Sequence, residues 1–213
     1  MIEKMKTDFS DMKETGLQLP PKAETKALSS RETVKFGMDK AQGIVIIGYR
    51  TIPIDDPDRY AFEVLASALS GSSGRLFANI RNRRGISYSL GVSQGLGIDP
   101  GYFLFYLAAD REKSGPARGL LLNEINKLTS KGVSKSEIDL AKRELVTLNR
   151  SKLEANESVS FQMSLDELYG LGYDSIFRYD AKIDAVTEQD IARVVKLYFD
   201  PQSYVEVDIN QEG

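Results

Sequence analysis

Hydrophobic and polar residues alternate or cluster in short runs at five places along the chain, and these places predict β-strands. Val34, Phe36 and Met38 alternate with polar residues, which indicates a half-buried strand. Residues 43–50 (GIVIIGYR) and 102–109 (YFLFYLAA) are apolar on both faces, so each is expected to be a strand covered on both sides. Residues 88–93 (YSLGVS) predict a further strand, which a short turn at residues 99–101 should pair antiparallel with the strand at 102–109. Residues 204–209 (YVEVDI) are polar on one face and predict a strand near a sheet edge.

Apolar residues at helical spacing dominate the rest of the chain. They predict helices at residues 58–69, around Leu76 to Ile80 with a glycine cap at Gly85, from Pro116 to Gly132, from Ser134 to about Leu148, at 158–171, at 175–185, and from Thr187 to Pro201. Ser134 and Glu137 have the spacing of a capping box, and Thr187 is placed to cap the last helix.

Strands cluster and helices cluster along the sequence, which favours an α+β fold with an antiparallel β-sheet and helices packed on one face. Residues 1–26 are charged, contain Pro20-Pro21 and show little periodicity beyond a possible short helix. We therefore expect residues 1–26 to form a linker or connecting arm and residues 27–213 to form one domain.

The most informative feature of the composition is that none of the 213 residues is histidine or cysteine. Imidazole and thiolate hold zinc in nearly all protein sites, so we expect no zinc site in this chain. Carboxylates alone suit magnesium or calcium where several oxygens come together, and we expect no such metal site and no cofactor site here. Their absence also removes serine–histidine and cysteine–histidine catalysis. A lysine or carboxylate enzyme stays open, although no motif supports it.

The net charge of −3 gives no general attraction to nucleic acid or to an anionic membrane surface. No apolar run approaches the length of a membrane span, and the first residues are too polar for a signal peptide. We expect a soluble protein with no nucleic-acid partner and no membrane span, in the cytoplasm or the periplasm.

The segment at residues 71–90 reads GSSGRLFANIRNRRGISYSL, and four other segments accompany it in order. These segments are IIGYRTIPIDDPDRYAFEVLASALSG before it, and AKRELVTLNRSKLEANES, VTEQDIARVVKLYFDP and the closing strand after it. Together they resemble the pitrilysin/insulinase family of zinc metallopeptidases, which includes mitochondrial processing peptidase. The resemblance covers roughly residues 21–209.

The resemblance implies a mitochondrial processing peptidase-like domain that works as one of a pair. In this family two α+β halves face each other across a peptide-holding chamber, and one half carries the zinc motif H-x-x-E-H on its first helix. Residues 62–65 lie near where that motif would be, and they contain no histidine. The resemblance therefore implies the metal-free, C-terminal-type half, inactive alone, with zinc in a homologous partner. Glu63 is expected to be a solvated helix residue rather than the remnant of a zinc base.

The resemblance also implies two auxiliary catalytic residues, Arg81 and Tyr88, that act on the partner's site. The metal-free half of the family contributes an arginine and a tyrosine, and the spacing matches Arg81 and Tyr88 within RNRRGISY. Guanidinium and phenol groups donate hydrogen bonds and can stabilise the oxyanion that forms at a scissile carbonyl. In the structural alternative, Arg81 stabilises the C-terminus of a helix, and Tyr88 is a half-buried residue of a strand. Arg83 is expected to lie on a solvated helix face.

The sequence leaves two functions open. The chain could form half of the chamber of a zinc endopeptidase that takes unfolded peptides, held extended against a sheet edge. It could instead be a proteolytically inactive scaffold or regulatory subunit of the same fold. Glu154, Asn156 and Glu157 are acidic enough to suggest a metal, but charged residues on a helix are usually solvated.

Overall fold

The computed structural model describes residues 2–13, 16, 28–39, 41–70, 74–82 and 87–210, and it describes residues 2, 81, 82, 87 and 88 by their backbone alone. In chain order the elements are α1 (Ile2–Asp8), β1 (Glu32–Gly37), β2 (Gln42–Arg50), α2 (Arg59–Leu69), a π-helical segment (Phe77–Asn82), β3 (Ser87–Gly95), β4 (Tyr102–Asp110), a 3-10 turn (Arg111–Lys113), α3 (Ser114–Lys131), α4 (Lys135–Leu153), α5 (Asn156–Leu168), α6 (Ser175–Ala185), α7 (Glu188–Tyr198) and β5 (Val205–Asn210).

The five strands form one sheet in the order β1-β5-β2-β4-β3. The pairs β5–β2, β2–β4 and β4–β3 are antiparallel, as expected, whereas β1 and β5 are parallel. The α+β class is confirmed, but the sheet is mixed rather than wholly antiparallel. A parallel pair needs a long connection, and here nearly the whole domain lies between its two strands.

One face of the sheet carries the hydrophobic core. Val45 and Ile47 of β2 and Phe105 of β4 are almost fully buried there, together with Leu121 of α3 and Leu65 of α2. The helices thus pack on one face of the sheet, as the sequence predicts.

The opposite, outer face of the sheet is apolar but only partly covered. Ile44 and Ile46 of β2 and Leu104 of β4 are half-buried, so the expectation that these strands are covered on both sides is wrong. Val34 and Phe36 of β1 are 40% and 55% exposed, so this strand is not half-buried either. Apolar residues at every strand position predicted two covered faces, but the helices of the described residues supply a layer for one.

Strand β5 lies between β1 and β2, so it is near an edge of the sheet, as predicted, but does not form that edge. Its polar residue Glu206 faces the interior at 2% exposure. Arg118 donates to both carboxylate oxygens of Glu206, and Arg31 forms an ion pair with it at 2.8 Å. A charge buried beside two cations lets a strand with a polar face occupy an interior position.

The helix boundaries follow local signals in the sequence. Both predicted caps form full capping boxes, Ser134 with Glu137 on α4 and Thr187 with Asp190 on α7. Gly132 ends α3 with φ of 69°, a conformation that glycine adopts readily. Within the described residues, no helix combines the length and the apolar character that crossing a membrane requires.

Candidate functional site

The segment that leads to Arg81 and Tyr88 begins at a tightly held side chain. Arg75 donates from Nε and Nη2 to the two carboxylate oxygens of Glu137 at 2.8 and 2.7 Å, and from Nη1 to the carbonyl oxygen of Gly132 at 2.8 Å. A bidentate arginine–carboxylate pair fixes both position and orientation. Arg75 therefore fastens the start of this segment to α4.

The next turn of the segment is anchored to α3 and to the core. The side-chain nitrogen Nδ2 of Asn79 donates to the Glu124 carboxylate at 2.8 Å, and Glu124 is 5% exposed. Leu76 and Ile80 are each 1% exposed. These contacts hold the backbone of the π-helical segment up to the residue before Arg81.

The strand that carries Tyr88 is fastened from the other side. The hydroxyl oxygen of Ser70, just after α2, accepts a hydrogen bond from the backbone N–H of Val92 in β3 at 3.0 Å. Strand β3 forms one edge of the sheet and pairs with β4 alone among the described strands. Its outward hydrogen-bonding edge faces away from the rest of the sheet.

The structure places Arg81 near the end of the π-helical segment and Tyr88 near the start of β3. The register between β3 and β4 shifts between Ser87 and Ser89, so Tyr88 is an extra residue at that point of the strand. The side chains of Arg81 and Tyr88 lie outside the described part of the structure. Their auxiliary catalytic role therefore stays a prediction.

Two further expectations also fall outside the described residues. The glycine cap at Gly85 and the solvated position of Arg83 belong to residues 83–86.

Helix α2, where the family resemblance places the zinc motif, directs apolar side chains into the core. Phe62, Val64 and Leu65 are at most 1% exposed. Phe62 packs edge-on against the ring of Tyr198, with 5.2 Å between the ring centroids. This face of the helix therefore contributes to packing.

Glu63 of α2 is not the solvated residue that the sequence suggested. It is half-buried, and its Oε2 accepts a hydrogen bond from the Tyr179 hydroxyl at 2.5 Å. Burial raises the pKa of the Glu63 carboxyl, although the Tyr179 hydrogen bond and the charge of Arg59 partly offset this effect. Burial and Glu63 together raise the pKa of Tyr179 as well. Paired groups with shifted pKa values in a cleft are a recognised sign of a functional site.

Glu63 lines a cavity of about 580 Å³ between α2, α4, α5 and α6. Apolar side chains form a large part of its wall, among them Leu96, Leu145, Leu148, Phe161, Leu165 and Ile176. The polar contributions include Asn149 and Asp166, both buried. Apolar side chains together with polar groups that can orient a ligand are found in small-ligand sites.

The acidic residues at the junction of α4 and α5 are solvated, as the sequence suggests. Glu154 and Glu157 are exposed. Among the described residues, no three histidine, cysteine, aspartate or glutamate side chains come together in a way that could hold a metal ion.

Comparison with known proteins agrees with the fold and with the family resemblance. The family described as the peptidase M16 inactive domain matches residues 1–145. An uncharacterized zinc protease of Mycobacterium leprae is 27% identical over 174 residues, which cover 81% of this chain and 39% of that protein. The chain thus spans about two fifths of the length of this relative.

Solved structures show the same fold. The structure of a protease from Helicobacter pylori superposes with a TM-score of 0.87 at 19% identity, covering 98% of this chain and 51% of that one. The inactive peptidase domain of a putative zinc protease from Bordetella parapertussis superposes with a TM-score of 0.71 at 18% identity, covering 81% of this chain and 94% of that one.

This chain is a zinc-metallopeptidase-type domain of the metal-free kind, and it belongs to the M16 peptidase inactive-domain family. The family resemblance read from the sequence is confirmed.

Sequence reasoning did not find the cavity or the Glu63–Tyr179 pair. Arg59 and Glu63 are four residues apart on α2, so a shared helix face was readable from the sequence. Tyr179 lies 116 residues further along the chain, and no local pattern connects it to Glu63.

Proposed function

We propose that this chain is the non-zinc-binding half of a zinc-dependent endopeptidase. It forms half of a peptide-binding chamber, and the zinc and its ligands belong to a homologous partner domain or subunit. The carrying observation is the family match over residues 1–145, in a chain that spans about two fifths of a relative named a zinc protease.

In this proposal Arg81 and Tyr88 act on the partner's reaction centre. Both are donors that require no metal. The anchored backbone on either side supports the role, because Arg75 and Ser70 hold the ends of the segment in place. Donors aimed at a developing oxyanion stabilise the transition state by about 2.7–4 kcal/mol each.

The edge strand β3 supports the idea of an extended peptide substrate. A sheet edge offers a row of backbone donors and acceptors with which an extended chain can pair. Because Tyr88 lies near the start of β3, a peptide paired there would pass close to this residue.

The apolar outer face of the sheet supports a partner. Val34 and Phe36 are exposed there, and Ile44 and Ile46 are half-buried. Large exposed apolar patches on folded domains generally mark interaction surfaces. A homologous zinc-bearing half is the partner that the family membership suggests.

The test uses the chain reconstituted with a zinc-bearing partner. Arg81→Ala and Tyr88→Phe should each lower kcat on a test peptide by about 100- to 1,000-fold while zinc content stays the same. Arg143→Ala and Tyr173→Phe are matched controls at exposed positions of α4 and of the loop before α6, and they should leave kcat unchanged. Undiminished turnover in both test variants would refute the catalytic role and favour a scaffold or regulatory subunit.

A further inference from the structure

The cavity between α2, α4, α5 and α6 has the size and the wall of a ligand site. Its volume of about 580 Å³ lies within the range of about 300–1,000 Å³ that is usual for small-molecule pockets. Its mouth carries two apolar side chains, Phe161 of α5 and Leu148 of α4, which are 65% and 59% exposed. An apolar molecule entering the cavity would cover both.

The carboxyl group of Glu63 inside this cavity has an unused acceptor. Its Oε2 accepts from Tyr179, whereas Oε1 receives no hydrogen bond from the described residues. Among those residues no cation lies within ion-pair distance of Glu63 either. A carboxylate in a partly desolvated site is more stable when a cation or several donors contact it.

The neighbouring cation on the same helix, Arg59, directs its two Nη groups elsewhere, although its buried Nε has no hydrogen-bond partner among the described residues. Arg59 donates to the hydroxyl of Tyr60 at 2.9 Å and to the carbonyl oxygen of Ile54 at 3.5 Å, and its guanidinium lies over the Tyr60 ring. Lys152 of α4 is exposed at the cavity wall. Neither residue neutralises Glu63 by direct contact.

Two further polar groups of the wall, Asp166 and Asn149, carry acceptor oxygens. Asp166 is buried, and its two oxygens accept from Gln162 and Ser175. Asn149 uses its amide nitrogen to donate to Asp180, which leaves its carbonyl oxygen as an acceptor. Tyr169 and Tyr179 also line the cavity, and aromatic rings attract cations at their faces. The cavity thus holds two carboxyl groups, Glu63 and Asp166, beside the cations Arg59 and Lys152. The carboxyl oxygen that accepts no hydrogen bond from the described residues is Oε1 of Glu63.

We propose that this cavity binds an organic ammonium group carried on an apolar body. The ammonium donates to Oε1 of Glu63, and the apolar body lies between Leu145 of α4 and Leu165 of α5. A hard metal ion is a poor fit, because it needs several open oxygen ligands and Glu63 offers one. The proposal does not depend on the peptidase function.

Two sources share this chemistry, a free alkyl or aryl amine and the N-terminal ammonium of an apolar peptide. The probe for the first is 2-phenylethylamine, and the probe for the second is trileucine amide. Acetylated trileucine amide, which has no ammonium, is the control for the second.

Binding to the whole chain is measured by isothermal titration calorimetry at neutral pH. We expect 2-phenylethylamine to bind at least about ten-fold more tightly than 2-phenylethanol and 3-phenylpropanoate, because only the amine gives Glu63 a charge-assisted hydrogen bond. If trileucine amide binds and its acetylated form does not, a peptide N-terminus can be the source. If only the small amine binds, the source is a free amine. Absence of amine binding, or equal affinity for the amine and the alcohol, would overturn the proposal.

Two variants locate the site. Glu63→Gln should weaken amine binding by about ten-fold or more, whereas Glu154→Gln, an equal charge change at an exposed position away from the cavity, should not. Leu165→Trp should block the cavity without changing Glu63, and it serves as the second variant if Glu63→Gln does not fold. Unchanged amine affinity in the folded variants would show that binding occurs elsewhere and would contradict the assignment.

Discussion

At the scale of single residues, the ion pair between Arg75 and Glu137 does two tasks. Glu137 caps α4 through Ser134 and also receives the bidentate guanidinium of Arg75. Although burial raises the pKa of Glu137, the hydrogen bonds from Arg75 and Ser134 outweigh this effect and lower it to about 2. The ionised form is therefore the one that the fold stabilises.

The first prediction concerns this pKa. A carboxyl with a lowered folded-state pKa contributes stability above its unfolded pKa of 4.5, and this contribution is lost as the pH falls towards 2. Glu137→Gln should cost about 2 kcal/mol of unfolding free energy at pH 7, and this cost should shrink between pH 4.5 and 2. Urea denaturation at several pH values measures it. A cost that does not vary with pH would contradict the account.

Glu63 gives a second prediction with the opposite sign. Because burial raises its pKa, ionisation of Glu63 costs stability above the unfolded pKa of 4.5, and the cost is absent below that pH. The groups that face Glu63 are Arg59 on α2, Lys152 on α4, Asp166 on α5 and Tyr179 on α6. The stability of Glu63→Gln relative to the natural chain should therefore rise between pH 4 and 7. A fall over this range in urea denaturation would refute the assignment.

The buried carboxylate of Glu206 gives a third prediction. Arg118→Met would leave Glu206 with the ion pair to Arg31 alone, at a site that is 2% exposed. We expect a loss of about 3 kcal/mol in unfolding free energy, since breaking a buried pair typically costs 3–5 kcal/mol and one partner remains. Arg143→Met, at an exposed position of α4, is the control, and equal stability of the two variants would contradict this role.

At the scale of elements, the helix caps give the clearest prediction. Thr187→Ala removes the capping box of α7 and should cost about 1 kcal/mol of unfolding free energy. Thr147→Ala, in the middle of α4 with an exposed side chain, should be neutral or slightly stabilising, because alanine has the higher helix propensity. Thermal unfolding of both variants checks this, and a similar loss in both would show that the cap is not the cause.

The sequence predicts elements well where the signal is local. The caps of α4 and α7 and the glycine end of α3 need only a few neighbouring residues, and these boundaries are confirmed. The interior place of β5 is different, because it depends on Glu206 meeting Arg118, 88 residues earlier in the chain. The cavity around Glu63 depends likewise on a contact with Tyr179 across the domain.

The candidate catalytic pair shows the same difference between what the sequence predicts and what it does not. Arg81 and Tyr88 were identified by their place in a family motif, because neither residue stands out by periodicity or charge. The anchors on either side of them, Arg75 and Ser70, use partners on α4 and β3 that no local pattern indicates.

At the scale of the whole molecule, the described sheet is covered by helices on one face and carries an apolar, partly exposed outer face. This arrangement suits a domain that completes its packing against another folded unit. The chain matches about two fifths of the length of a zinc protease relative and nearly all of a separate inactive-domain structure. The chain thus corresponds to one domain, and the activity proposed for it requires a second, zinc-bearing domain.

The most direct test of the proposed function is to combine this chain with a partner that carries the H-x-x-E-H motif. Zinc content and hydrolysis of an unfolded peptide would be measured for this chain alone, for the partner alone and for the mixture. We expect no stoichiometric zinc and no hydrolysis in this chain, zinc in the partner, and full hydrolysis in the mixture alone. Hydrolysis by the partner that is unchanged when this chain is added would contradict the account.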